Sequence, residues 1–275
     1  MLAAALIVFR EVLEAGLIVG VILAATEGVA RRGRWIAGGV GAGIAGAALV
    51  AAFAQTISDA FSGSGQDVFN ASILIAAVVM LSWHILWMSR HAREMVGDMQ
   101  ALGRKVSAGE TTLAAMATVV AVAVLREGSE VVLFLYGIAA PGGTSAADIA
   151  GGGVIGVAGG AALSFLIYRG LLAIPVRHFF AVTNGLIALL AAGMAGQAVV
   201  FLVKADLLPS LGDQLWDTSG LLADDSLIGR ALHALVGYSD RPMGVQLIAY
   251  LVVLATLIGL GRYIGTPPKP AERAA

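Results

Sequence analysis

Phe9-Arg10-Glu11-Val12-Leu13-Glu14 puts three charges in the middle of an otherwise apolar run, residues 3–26. The pattern returns at Leu125-Arg126-Glu127-Gly128-Ser129-Glu130, inside the run 111–139. Crossing a hydrocarbon core of about 30 Å takes about 20 residues of helix, so both runs are long enough to span a membrane. A charge at the centre of such a helix costs about 2.5–3.5 kcal/mol on the insertion scale. Six of them cost on the order of 15–20 kcal/mol before pairing, more than a typical net fold stability of about 5–15 kcal/mol. One Arg-Glu-x-x-Glu on a soluble helix is ordinarily a salt-bridged surface. Two copies buried in apolar runs point to a site that pairs charges, relays protons or binds an ion.

The rest of the chain reads as lipid-embedded. Of 275 residues, 59% are hydrophobic and 13% charged, where a soluble domain has about 25% charged. Apolar runs recur at 3–26, 35–57, 69–89, 111–139, 149–168, 179–203 and 243–260. They predict an all-α integral membrane protein with seven transmembrane helices. Residues 1–25 are kept as a mature span, because nothing basic precedes the charges at Arg10, Glu11 and Glu14 as a signal peptide would require. A net charge of -1 gives no reason to expect nucleic acid. The absence of cysteine excludes disulfides, thiolate metal sites and iron–sulfur ligation.

Orientation follows from the basic residues. The loops after the first, third and fifth spans, with the C-terminal tail, hold 12 of the 17 Lys and Arg. The opposite side has only Lys204, Arg230 and Arg241. The N-terminus is therefore expected outside and the C-terminus in the cytoplasm. Once both sides are tallied, the acidic residues left within spans are Glu11, Glu14, Glu127 and Glu130.

Arg126 follows Arg10 by 116 residues, and the same offset carries Leu17 onto Leu133 and the start of the second span, near Trp35, onto the fifth, near Gly151. The second span contains Gly39-x-x-x-Gly43 and the fifth Gly152-x-x-x-Gly156-x-x-x-Gly160. Small residues at this spacing let membrane helices approach closely. Spans one to three and four to six thus form a 3+3 inverted repeat, a transporter signature, with one extra helix. The organisation expected is a permease domain over 1–265, with repeat one at about 1–92 and repeat two at about 111–204. An outer loop at 204–242 and a seventh helix at about 243–260 follow. Residues 266–275, rich in Pro and charge, are expected to be a disordered cytoplasmic tail.

At 3.6 residues per turn, Arg10, Glu11 and Glu14 fall at roughly 0°, 100° and 40°, on one helix face, as do Arg126, Glu127 and Glu130. If the two faces meet about a pseudo-two-fold axis, four carboxylates converge with the arginines flanking them. Two Arg against four Glu leaves two excess negative charges, bound protons or a bound cation. Carboxylate oxygens suit hard cations and also relay protons. The residues by themselves stop at a carboxylate-lined cation transporter.

Two Arg-Glu-x-x-Glu motifs in the first and fourth of seven spans resemble the oxidase-dependent, high-affinity iron permease family of fungi and bacteria, whose bacterial branch serves ferrous-iron uptake. The resemblance extends over most of the chain, including Leu215-Trp216-Asp217-Thr218-Ser219 in the acidic outer loop. It implies iron import, as Fe2+ or Fe3+, across the cytoplasmic (inner) membrane, with Glu11, Glu14, Glu127 and Glu130 as iron ligands. It also implies an extracytoplasmic iron-binding protein and a peroxidase or oxidase as partners. Iron is then the cargo, with no cofactor, and a homo-oligomer is an open option. The competing reading is a proton-coupled carrier of another divalent cation such as manganese. An enzyme would be expected to show a nucleophile, a His cluster or a cofactor motif in the spans, and none is seen.

Secondary candidates are His84 in the third span and Asp217 in the outer loop. His84 reads first as a helix-packing hydrogen bond and second as a ligand or proton relay, and Asn184 and Gln197 read likewise. Met80, Met88 and Met194 read as apolar filler, and Trp35, Trp83 and Trp87 include interface anchors. Residues 90–110 read as an inner loop. Leu227–Val236 has amphipathic spacing suited to a helix along the membrane surface.

Overall fold

The computed structural model describes residues 1–60, 65–139, 144–170, 176–224 and 226–265. These form eight α-helices and no strands: α1 Leu2–Ala25, α2 Arg32–Ala60, α3 Gln66–Ser107, α4 Leu113–Ala139, α5 Ala146–Tyr168, α6 Val176–Lys204, α7 Leu227–Val236 and α8 Gly244–Gly265. Five of them, α2, α3, α5, α6 and α8, contain stretches long and apolar enough to cross a membrane. Helices α1 and α4 have 24 and 27 residues and carry the two motifs, so each has three charges in its apolar run. The expected tail, 266–275, lies outside the described residues.

Helix packing follows the glycines. Gly152, Gly156 and Gly160 of α5 lie against the α1 backbone at Met1, Ala5 and Phe9. Gly39 and Gly43 of α2 lie against the α4 backbone at Ala117 and Ala121. The two interfaces are copies of each other: Ala117, Val120, Ala121 and Val124 each follow Met1, Ala4, Ala5 and Val8 by 116 residues. At the next position the small residue changes sides. Gly160 meets Val12 in one interface, whereas Gly128 meets Ala47 in the other. A residue inside the second motif is therefore glycine because α2 needs the space.

The offset of 116 holds for α1 and α4 but not for their partners. Gly152 and Gly156 follow Gly39 and Gly43 by 113 residues, so the start of α5 near Gly151 is not the equivalent of Trp35. The stretch from motif to glycine stripe is three residues shorter in the second repeat. The third helices share the offset of 113. Leu74, Ala77, Val78, Leu81 and Ile85 on α3 match Ile187, Leu190, Ala191, Met194 and Ala198 on α6, and all ten are buried. These faces meet in one apolar core that also takes Ile7 from α1 and Phe134 from α4.

Helix α3 departs from expectation. It runs 42 residues, to Ser107, through the stretch 90–107 expected as loop. At about 1.5 Å per residue it is roughly 60 Å long and outreaches the bilayer core. Its second half stays helical because Met95, Met99 and Val106 recur on one face and pack on Ile18, Ile22, Met116 and Val120. Ser107 Oγ also donates to the Ala25 carbonyl at 3.0 Å, one of the acceptors left free where α1 ends. The amphipathic segment Leu227–Val236 does form a helix, capped by Ser226 and closed by Gly237 at φ 69°. Helix α8 packs on α6 and α3 at the edge of the bundle.

Candidate metal centre

Helices α1, α3 and α4 meet pairwise, and the charged residues lie where they meet. Arg10, Glu11, Glu14, His84, Glu127 and Glu130 are all buried, none more than 6% exposed. On α1, Arg10 Nη1 lies 2.7 Å from Glu11 Oε1 and Nη2 lies 2.7 Å from Glu14 Oε1. On α4, Arg126 Nε lies 3.2 Å from Glu130 Oε1 and 4.0 Å from Glu127 Oε1. The pairings repeat because i and i+4 share a helix face, and the Glu side chain leans back over the intervening turn toward the Arg. The sequence reading put both arginines beside the carboxylates, and the structure does so unequally. Arg10 is sealed in, while the Arg126 side chain is 40% exposed and rests over the Trp87 ring at 4.9 Å. Trp87 in turn stacks on His91, ring centroids 4.9 Å apart.

His84 bridges the two motifs. Its Nε2 is 3.2 Å from Glu14 Oε2 and its Nδ1 is 2.6 Å from Glu130 Oε2. Two sets of three ligand-type side chains result, each with its donor atoms within 4.8 Å of one another: Glu11, Glu14 and His84, and His84, Glu127 and Glu130. Glu11 Oε2 and Glu127 Oε2 are buried without a hydrogen bond among the described residues. An anionic oxygen left unpaired in an apolar interior is costly and calls for a cation or a proton. The donor set of four carboxylates and one imidazole fits a divalent transition metal.

The other candidates fall elsewhere. Asp217 joins neither ligand set. It is an exposed loop residue that accepts hydrogen bonds from Ser219 N at 2.9 Å and Ser219 Oγ at 2.6 Å, and it pairs with Arg241 Nε at 3.2 Å. The Ser219 bonds, and then Arg241, hold its pKa down to about 2. Asn184 Oδ1 is buried with no hydrogen-bond partner among the described residues, so the expected helix-packing bond is not formed by that atom. Met194 is buried core and Met80 is 39% exposed, the core-facing and lipid-facing positions expected of filler. Trp83 is 70% exposed but adjoins His84 at the level of the charged cluster, and Trp87 backs Arg126, so neither lies where an interface anchor was expected. A cavity of about 240 Å³ beneath the outer loop, lined by Trp216, Tyr238, Gln246 and Tyr250 among others, includes no motif residue.

His84 bonds α1 and α4, as the helix-packing reading expects, and it also falls in both ligand-type sets. The usable signal was arithmetic: two Arg cannot balance four Glu, and His84 is a titratable residue within the third span.

No solved structure matches the chain. Among curated proteins it is 30% identical over 261 residues to the ferrous iron permease EfeU of Escherichia coli O6:K15:H31, covering 90% of this chain and 91% of that one. It is 29% identical to the ferrous iron permease EfeU of Yersinia pestis, covering 90% of this chain and 89% of that one. The Iron permease FTR1 family matches residues 1–264, two-motif helices and glycine-packed partners together, and the chain belongs to that family.

Proposed function

We propose that this protein imports iron across the cytoplasmic membrane through a midplane site made by its two Arg-Glu-x-x-Glu motifs. The observation that carries the reading is the pair of buried, unpartnered carboxylate oxygens, Glu11 Oε2 and Glu127 Oε2, one from each repeat. They flank ion pairs in which two Arg meet four Glu, so a dication cancels the remaining charge. Glu11, Glu14, Glu127 and Glu130 are the metal ligands. Arg10 and Arg126 hold them in place and limit the repulsion among them.

Seven helices cross the bilayer in this reading: the five apolar ones and the two motif helices. The N-terminus is outside and the C-terminus inside. The copied interfaces of α1 with α5 and α4 with α2 support an inverted repeat around one axis. The protein acts as a transporter rather than an enzyme, so any change in iron oxidation state belongs to an outer peroxidase or oxidase partner. An outer iron-binding protein delivers the ion, and the acidic outer loop faces that partner.

Purified protein in proteoliposomes should take up iron in preference to manganese, zinc and magnesium. Glu14→Gln and Glu130→Gln should each abolish uptake while leaving the protein folded and inserted. Preferential uptake of manganese would favour the competing divalent-cation reading instead.

A further inference from the structure

We propose that His84 is a metal ligand shared by both motifs, which binds the ion with Glu11 and Glu14 on one side and with Glu127 and Glu130 on the other. This rests on the transport site proposed above and adds to it the ligand that sets its selectivity.

Position is the first argument. Glu14 and Glu130 are equivalent residues, 116 apart, and the imidazole touches the same oxygen of each: Nε2 to Glu14 Oε2 at 3.2 Å, Nδ1 to Glu130 Oε2 at 2.6 Å. A ring whose two nitrogens face equivalent atoms lies across the pseudo-two-fold axis. The carboxylates come in pairs and the imidazole does not. Its counterpart on α6, 113 residues later, is Gln197. One nitrogen residue thus serves both repeats.

Geometry is the second. His84 belongs to both three-residue ligand sets, and the donor atoms of each lie within 4.8 Å of one another. Ligands around one ion, with bonds near 2.1 Å, sit about 3–4 Å apart. A small contraction of either set completes a site, and each contains one unpartnered oxygen, on Glu11 or on Glu127.

Chemistry is the third. Oxygen-only sites suit magnesium, calcium and manganese, whereas imidazole favours iron, zinc, copper and nickel. A neutral imidazole has one bare nitrogen and one N–H. While one nitrogen binds the ion, the other donates to the carboxylate across the axis, the arrangement that orients most metal-bound histidines. The ion therefore occupies one set at a time. Two stations about one ring give a transit path from the α1 side to the α4 side.

The test is X-ray absorption at the iron edge of purified full-length protein loaded anaerobically with one equivalent of ferrous iron. Imidazole outer-shell scattering is expected in the wild type and in His91→Gln, and its loss in His84→Gln. The His84→Gln protein should bind iron at least about tenfold more weakly. Its uptake preference for iron over magnesium and manganese should fall by a similar factor. An oxygen-only iron site in the wild type overturns the proposal and requires no variant to fold. Unchanged affinity and preference in a folded His84→Gln protein overturn it as well. If that happens while Glu14→Gln and Glu130→Gln still abolish uptake, the permease reading stands and the His84 assignment alone fails. If the glutamate variants transport normally, the permease site itself fails.

Discussion

Adding one methyl group to Gly156 tests how the fold holds the motif helix. A Cβ there would lie 2.7 Å from the Ala5 carbonyl oxygen, 2.7 Å from Val8 Cβ and 2.8 Å from Phe9 N. Ordinary carbon contacts are about 3.5–4.0 Å, so α5 and α1 must separate by about 1 Å. Two of the three obstacles are backbone atoms and cannot swing aside. Overpacking of this kind costs about 1–3 kcal/mol. Gly153, on the same helix, has nothing within 4 Å of its Cβ position. There Gly→Ala brings only the helix-propensity gain of about 1 kcal/mol. The repeat supplies a second matched pair. A Cβ on Gly43 meets the Ala121 carbonyl and Val124 Cβ, each at 2.7 Å, while Gly41 is open. The assay is thermal unfolding in detergent together with iron uptake in proteoliposomes. Gly156→Ala and Gly43→Ala should be less stable than Gly153→Ala and Gly41→Ala by about 1–3 kcal/mol. At about 2–4 °C per kcal/mol for a chain of this size, the gap is several degrees. Uptake should fall with it, because Phe9 adjoins Arg10 and any displacement carries Glu11 and Glu14 away from Glu127 and Glu130. Equal stability and uptake across all four variants would refute the close-packed interfaces and the repeat pairing drawn from them.

Other perturbations separate parts of the structure. Arg10→Met leaves Glu11 and Glu14 buried without their cation and should cost about 3–5 kcal/mol; Arg126→Met should cost less, because its side chain is 40% exposed and Glu130 keeps its contact with His84; unfolding midpoints compare them. Gly237→Ala forces an alanine into φ 69° where α7 ends against Gly193, a strain of about 1–2 kcal/mol, and should speed proteolysis of the outer loop. Asp217→Asn should also speed cleavage of that loop at pH 7 while leaving uptake intact. The Asp217 pKa is lowered to about 2, so its ionised form is the favoured one in the folded loop. Its contribution is present above the unfolded value of about 3.9 and is lost as pH falls through about 2, where variant and wild type should cleave alike.

The legible features were those that lipid imposes. A bilayer forces backbone into helices, so apolar runs with charged interruptions marked where the long helices lie. The stripes Gly39-x-x-x-Gly43 and Gly152-x-x-x-Gly156-x-x-x-Gly160 marked real interfaces, because close approach needs a missing Cβ. The motif faces were legible from the helical period, which brings Arg10 and Glu14 together in any helix. His84 was less legible. A polar residue in a span looks the same whether it bonds one neighbouring helix or two, and only α3 packing against both α1 and α4 separates the two. The second half of α3 looks like loop in the sequence because Arg93, Glu94 and Asp98 break the apolar run and hide the weaker stripe of Met95, Met99 and Val106. The change of offset from 116 to 113 comes from a shorter connection between motif and glycine stripe, invisible until the interfaces are matched residue by residue. The unequal burial of Arg10 and Arg126 has no trace in two nearly identical motifs, because it depends on how the surrounding helices cover each one.

The central claim is that one glutamate from each repeat binds the same transported iron ion. Its most direct measurement is iron uptake by proteoliposomes carrying the wild type, Glu14→Gln or Glu130→Gln, with insertion and folding checked in each. Loss of uptake in both single variants is the predicted result, since each removes a carboxylate that contacts His84 in the shared site. Uptake at the wild-type rate in either variant would contradict it.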